Sequence, residues 1–293
     1  MASRAEQKAA ARAAREQAAA QIHASRRQRT QLMAAGGVLL AVVAAAAVVI
    51  ALSSGGGGTT GTFKANKKTV PNPVPGAVMP MTPAAAVADV HKQLDGIPES
   101  GNTLGKANAP VTVTEFGDLV CSTCDDFALT SEKQLITADV RTGKVKLVYR
   151  GLATASNYAN SSQYIDTQVA ARSAGLQGKE WYYVLLTYDL QPETINGTDS
   201  EELPYVTSAY LQNRASLVPG INLLQWQTNM TNPTLIAAVH ADTSAANAAG
   251  VSGTPAVFVS GPKGTVQYDR GNSPSLSAVP SLAQLQALIA QVS

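Results

Sequence analysis

Cysteine, histidine and charge are all scarce in this chain. Of its 293 residues two are cysteine and three histidine, and 14% are charged. A formal charge of +2 over this length gives no general basic field, so composition points neither to nucleic acid nor to acidic substrates. A structural zinc ion needs four ligands. The two thiols would need histidine partners, yet His23, His91 and His240 lie in three separate parts of the chain, so no metal site is expected. The stretch SGGGGTTG has neither the lysine nor the following helix of a phosphate loop. His240 has no nucleophile elbow to accompany it, which leaves a Ser-His-Asp hydrolase unsupported. No internal repeat is present. What the chain does have is 45% hydrophobic residues, which suits a globular protein with a sizeable core.

Its charges are unevenly placed. Arg4, Lys8, Arg12, Arg15, Arg26, Arg27 and Arg29 all precede an uncharged run, and the next charged residue is Lys64. That run, QLMAAGGVLLAVVAAAAVVIALSS, has about twenty apolar or small residues, which as a helix span roughly 30 Å, one bilayer crossing. A cleaved signal peptide usually has an apolar core of only ~7–15 residues, so an uncleaved anchor at 32–53 is favoured. The basic excess before it places the segment 1–31 in the cytoplasm and the C-terminal part outside the membrane. Segments SSGGGGTTGT and TVPNPVPGAVMPMTP then read as a tether, 54–100, in which AAAVADVHKQLDGIP forms a short helix ending near Gly96. A folded domain is expected over 101–293.

Within that domain APVTVTEFG reads as a β-strand ending at Gly117. From Asp125 the apolar spacing predicts a helix that stops at Gly143, and KVKLVYRGL predicts a second strand. Both cysteines therefore sit at the strand-to-helix junction of a β-α-β unit. About 161–247 reads as a helical insertion, in which Trp181, Tyr182 and Tyr183 pack the interior. TPAVFVSG and GTVQYDRG predict a hairpin turned at GPKG, and LAQLQALIAQV a closing helix. Arg150 reads as a solvated or paired charge. Asn160, Asn196 and Asn229 begin glycosylation sequons of little weight here.

Cys121 and Cys124 admit four readings. Zinc fails for want of ligands. A structural disulfide would close a four-residue loop, worth only ~2 kcal/mol on the chain-entropy model. Two inert buried thiols suit an exported protein poorly. The fourth reading is a redox-active pair: a helix N-terminus stabilises a thiolate at the first cysteine, and the second resolves the mixed disulfide.

The segment Glu115-Phe116-Gly117-Asp118, the motif Cys121-Ser122-Thr123-Cys124 after a strand, and Gly253-Thr254-Pro255 before another strand resemble DsbA-like thioredoxin-fold oxidoreductases. The lead-in GIPESGNTLGKANAPVTVTEF is similar to the membrane-anchored or secreted DsbA-like proteins of actinobacteria. This resemblance implies an α/β thioredoxin fold with a helical insertion, here preceded by a single transmembrane helix. It implies that Cys121 is an exposed nucleophile, Cys124 a buried resolving thiol, Pro255 a cis-proline whose backbone, with Thr254, binds an extended substrate, and Glu115 a buried acid that moves protons for Cys124. Many such proteins carry proline and histidine between the cysteines. Here Ser122 and Thr123 stand there, so no imidazolium supports the thiolate, and Asp125 and Asp126 are placed to oppose it. The function implied is a membrane-anchored enzyme that oxidises cysteine pairs in secreted polypeptides, needs no cofactor, and is reoxidised by a membrane partner such as a quinone-linked thiol oxidase. A reductase or isomerase of the same fold, and a non-catalytic scaffold with a structural disulfide, remain alternatives.

Overall fold

The computed structural model describes residues 74–155, 161–269 and 279–293. The expected cytoplasmic segment 1–31, the anchor 32–53 and the tether as far as residue 73 lie outside the described residues. Among the described residues no helix is long and apolar enough to cross a membrane.

Described structure begins inside the expected tether, which corrects its boundary. The short strand β1, Ala77–Val78, is followed by helix α1, Pro83–Leu94. Thr82 caps α1 by accepting the Ala85 N–H at 3.2 Å, and Pro83 fills the first turn, where a missing N–H costs nothing. One face of α1 carries Ala86, Val90 and Leu94 into the core. Burying a Val or Leu stabilises by ~1.5–3 kcal/mol each, so this segment belongs to the domain and not to a solvated linker. The expected helix is present; its assignment to the tether fails.

Two short strands, β2 (Glu99–Ser100) and β3 (Thr103–Leu104), lead to β4, Val111–Gly117. After β4 comes a continuous helical run: α2 (Ser122–Phe127), a π-helical turn (Ala128–Glu132), α3 (Lys133–Leu135) and a second π turn (Ile136–Val140). It ends at Gly143, whose φ of 83° needs a residue without a Cβ. The chain returns as β5, Val145–Gly151, parallel to β4 with Glu115 opposite Tyr149. Period-two alternation puts Val111, Val113 and Glu115 on one buried face of β4, and Val145, Leu147 and Tyr149 on that of β5. The same pleat that builds the core thus carries a carboxyl group into it.

Helices α4 (Ser161–Gly175), α5 (Glu180–Asp189), α6 (Ser208–Leu217), α7 (Leu223–Asn229) and α8 (Pro233–Ala248) follow. Every residue of α5 is buried, including the carboxyl-bearing Glu180 and Asp189 at its two ends. Trp181 and Tyr183 lie in the core with Tyr182, and the Trp181 indole N–H donates to the Asn102 carbonyl at 2.9 Å. Between α5 and α6 the chain forms a hairpin absent from the sequence reading, β6 (Thr194–Ile195) and β7 (Thr198–Asp199). Asn196 and Gly197 turn it with φ of 50° and 79°, the two positive values a type I′ turn requires. β1 pairs with β6 to complete a three-stranded sheet. Finally β8 (Ala256–Gly261) and β9 (Gly264–Gln267) form the expected hairpin, and α9, Leu282–Val292, packs on both. The large sheet runs β2-β3-β5-β4-β8-β9, with β8 antiparallel to β4.

Candidate active site

Glu115, the two cysteines and the Thr254–Pro255 loop meet at the C-terminal end of β4. Gly117 passes so close to its neighbours that a Cβ there would lie 2.8 Å from Glu115 Oε1 and 2.8 Å from Tyr149 Cε2. Asp118 follows, wholly buried. Its Oδ1 accepts the Val120 N–H at 3.2 Å, and its carbonyl accepts the Cys121 N–H at 3.0 Å. This turn presents Cys121 as the N-cap of α2, with φ −83° and ψ 121°. The helix therefore begins at Ser122, three residues before the start that the apolar spacing predicts.

Both cysteines are free thiols. Cys124 is fully buried, and its sulfur accepts the Asp118 N–H at 3.5 Å. Cys121, expected to be exposed, retains only 6% exposure. Its thiol donates to the Thr254 carbonyl at 3.8 Å, so the loop before β8 lies over it. The peptide bond between Thr254 and Pro255 is cis, and both residues are half-buried.

One residue that the sequence reading does not single out, Thr154, ties this loop down together with Asp118. Thr154, just beyond β5, donates its N–H to Asp118 Oδ2 at 2.8 Å and shares a 2.5 Å hydroxyl contact with Thr254. Asp118 thereby links the turn before Cys121 to the loop that covers it.

Electrostatically the two sulfurs are driven apart. A hydrogen bond from Cys124, helped by the Thr254 side chain and the Cys124 backbone, lowers the Cys121 pKa against the opposing effects of burial and Glu201. Burial raises that of Cys124 well above the usual thiol value, and its bond to Cys121 and the charges of Cys121 and Glu115 add to the rise. The opposite shifts make Cys121 the sulfur that ionises more readily and Cys124 the one that holds its proton more tightly.

Glu115 is 2% exposed, and its carboxyl group meets that of Glu132. Burial, then the facing Glu132, then Cys121 raise its pKa well above the ordinary carboxyl range. Glu132, on the π turn after α2, is itself raised by burial, and no motif in the sequence marks it. Tyr149 and Tyr188 close the cluster from β5 and α5, with the Tyr188 hydroxyl donating to the Asp118 carbonyl at 3.4 Å. Asp125 is held at about 7, by burial first and then by Asp126, Asp189 and Cys121. Among the described residues no three His, Cys, Asp or Glu side chains gather as a metal ion would require.

These raised carboxyls make stability depend on pH in an unusual sense. Burial lifts Glu99, Asp125, Glu180 and Asp189 each to about 7. The folded protein holds these protons where the unfolded chain, with carboxyls near ~4, has lost them. The associated stability is full below ~4 and declines as pH rises through about 7. The urea midpoint is accordingly expected to be higher at pH ~5.5 than at ~7.5; a flat or rising profile over that window refutes the expectation.

The Thioredoxin family model matches residues 99–271. A relative from Bacillus anthracis, "Probable disulfide bond formation protein D", is 28% identical over 171 residues, covering 57% of this chain and 73% of its own. The crystal structure of oxidised BdbD from Bacillus subtilis superposes with a TM-score of 0.52 at 19% identity, covering 66% of this chain and 95% of that one. That of Pseudomonas aeruginosa DsbA2 gives 0.46 at 18% identity, over 68% and 97%. The chain belongs to the thioredoxin family and shares its fold with BdbD.

Proposed function

We propose that this protein donates the Cys121–Cys124 disulfide to reduced exported polypeptides from a position anchored at the outer face of a membrane. The observation that carries the reading is the asymmetry of the pair. Cys121 caps the helix with a lowered pKa, beside the cis Thr254–Pro255 bond, while Cys124 is buried and its pKa raised. The substrate thiolate attacks Cys121 Sγ, the Cys121–Cys124 bond breaks, and Cys124 leaves as a thiolate that takes a proton. Glu115, buried as the acid and bearing electrostatically on both sulfurs, is the group that supplies and recovers that proton. A second substrate thiolate then attacks its own sulfur in the mixed disulfide and releases Cys121. The backbone at Thr254 and Pro255 holds the substrate extended across the pair.

Donation as the direction of transfer is supported by the disulfide-forming name of the Bacillus anthracis relative. The apolar run at 32–53 and the basic residues before it support the anchor and a cytoplasmic N-terminus. The reduced pair requires an oxidant, and a quinone-linked thiol oxidase in the same membrane is the partner that fits. Equilibrating the protein with glutathione buffers tests the direction. A potential toward ~−120 mV is expected of a disulfide donor, whereas ~−270 mV indicates a reductase, and resistance to reduction below ~−300 mV indicates a structural disulfide.

A further inference from the structure

The N–H of Ser122 is not left free for the neighbouring sulfur. As the first helical residue it has no acceptor within the helix, and such first-turn donors, with the positive end of the helix dipole, are what the helix offers a thiolate at its N-cap. It donates instead to Oε1 of Glu201 at 2.5 Å, a residue 79 positions away in the insertion. A carboxylate at a helix start favours the helix. Against a sulfur that must itself carry negative charge at the same end, it acts in the opposite sense, and its charge does oppose ionisation of Cys121.

The position of Glu201 is built. It lies in a 3-10 turn, Ser200–Glu202, whose cap Asp199 accepts the Glu201 N–H at 3.1 Å. Ser200 is 2% exposed; its N–H donates to the Glu193 carbonyl at 3.3 Å and its hydroxyl to the Pro192 carbonyl. The β6–β7 hairpin leading into the turn is itself pinned by β1, with the Asn196 N–H on the Gly76 carbonyl at 3.0 Å and the Glu193 N–H on that of Val78 at 2.9 Å. Glu115 on β4 and Asp125 on α2 are the other carboxyls that bear on Cys121, and both belong to the β-α-β unit.

We propose that Glu201 is a positioning residue that tunes the redox pair: by accepting the Ser122 N–H it sets a carboxylate at the start of the active-site helix, disfavours the Cys121 thiolate, and so holds the pair at a less oxidising potential than the site would have without it. Two glutathione thiols reduce the disulfide by giving up two electrons and two protons and forming glutathione disulfide. One proton ends on Cys124 Sγ and the other in solvent, leaving Cys121 as the thiolate. Whatever disfavours that thiolate pulls the equilibrium back toward the protein disulfide.

This inference rests on the redox-active reading of the pair, and the two fail separately. The full-length protein, Glu201→Gln and Glu201→Ala are each equilibrated with glutathione buffers at neutral pH, and the Cys121 thiolate is titrated by its ultraviolet absorbance. Glu201→Gln keeps an acceptor oxygen and removes only the charge. It is expected to shift the equilibrium about threefold to tenfold toward the reduced protein, tenfold being ~30 mV, and to move the Cys121 titration to lower pH; Glu201→Ala does at least as much. A purely structural cap would lower the melting temperature and move neither reading. An unchanged equilibrium and titration in Glu201→Gln, or a shift toward the disulfide, overturns the role of Glu201. A wild-type pair that glutathione cannot reduce overturns the redox reading itself.

Discussion

Cells producing the Cys124→Ser variant are expected to accumulate the protein in covalent adducts, resolved as reducible high-mass bands on non-reducing gels, while Cys121→Ser forms none and loses turnover by several orders of magnitude. The asymmetry of the two sulfurs dictates this. Cys121 carries the lowered pKa and lies at the helix start under the Thr254 carbonyl, so it is the sulfur that exchanges with a partner. In Cys124→Ser the Cys121 thiolate attacks a partner disulfide, forms a Cys121–partner bond and expels a partner thiolate. The buried thiol that would release the adduct is gone, and a serine hydroxyl at that position cannot replace it. Loss of the attacking nucleophile itself ordinarily costs a covalent enzyme several orders of magnitude. Mass spectrometry of the adducts reads out the partners. Finding no adducts with Cys124→Ser contradicts the exchange mechanism, and finding only proteins that never leave the cytoplasm contradicts the exported placement.

How much of the fold and the site is legible in the amino-acid sequence depends on how local each signal is. The strand ending at Gly117, the cysteine pair after it and the Thr-Pro before β8 are each written in a few consecutive residues, and the structure has each of them in that place. The hairpin at Asn196-Gly197 is equally local, since Asn-Gly is among the strongest short hairpin signals, yet its two-residue strands are too short to show alternation. Helix α1 illustrates another failure. Its alanine-rich composition and the proline-rich stretch before it suggest a linker, and only docking Val90 and Leu94 into the core makes it part of the domain. Thr154, Glu132 and Glu201 are beyond reach for a different reason. Each acts through a partner 17 to 100 residues away, Glu132 on Glu115, Glu201 on Ser122 and Thr154 on Thr254, and no spacing rule within one element brings such pairs together. Arg150 is a paired charge, one of the two states its sequence context allows, but its partner, Asp242 in α8, is 92 residues distant.

That partner carries a large expected stability effect. Asp242 has a side-chain exposure of 5% and holds three donors at once: Arg150 Nε on Oδ1 at 2.9 Å, the Gly151 N–H on Oδ2 at 3.3 Å, and Arg172 on Oδ2 in a close ion pair. Arg172 in turn faces Glu180 at 3.4 Å. One carboxylate thus ties the end of β5 to α8 and, through Arg172, to α4 and α5. Removing one member of a buried ion pair costs ~3–5 kcal/mol, because the partner's charge is left without compensation. Asp242→Ala leaves Arg172 with Glu180, but leaves Arg150 only the face of Phe116, 5.6 Å from its guanidinium. Arg150 is a quarter exposed and can turn to water, so a cost near ~3 kcal/mol is expected, read as a lower urea midpoint at unchanged slope. Asp242→Asn can still accept the Gly151 N–H and should lose less. A cost below ~1 kcal/mol for the alanine variant would mean that apolar packing alone holds the insertion to the sheet. The same bond also bears on the site. Gly151 is three residues before Thr154, whose hydroxyl meets that of Thr254, so the carboxylate that fastens the insertion also fixes the strand end from which the loop over Cys121 is held.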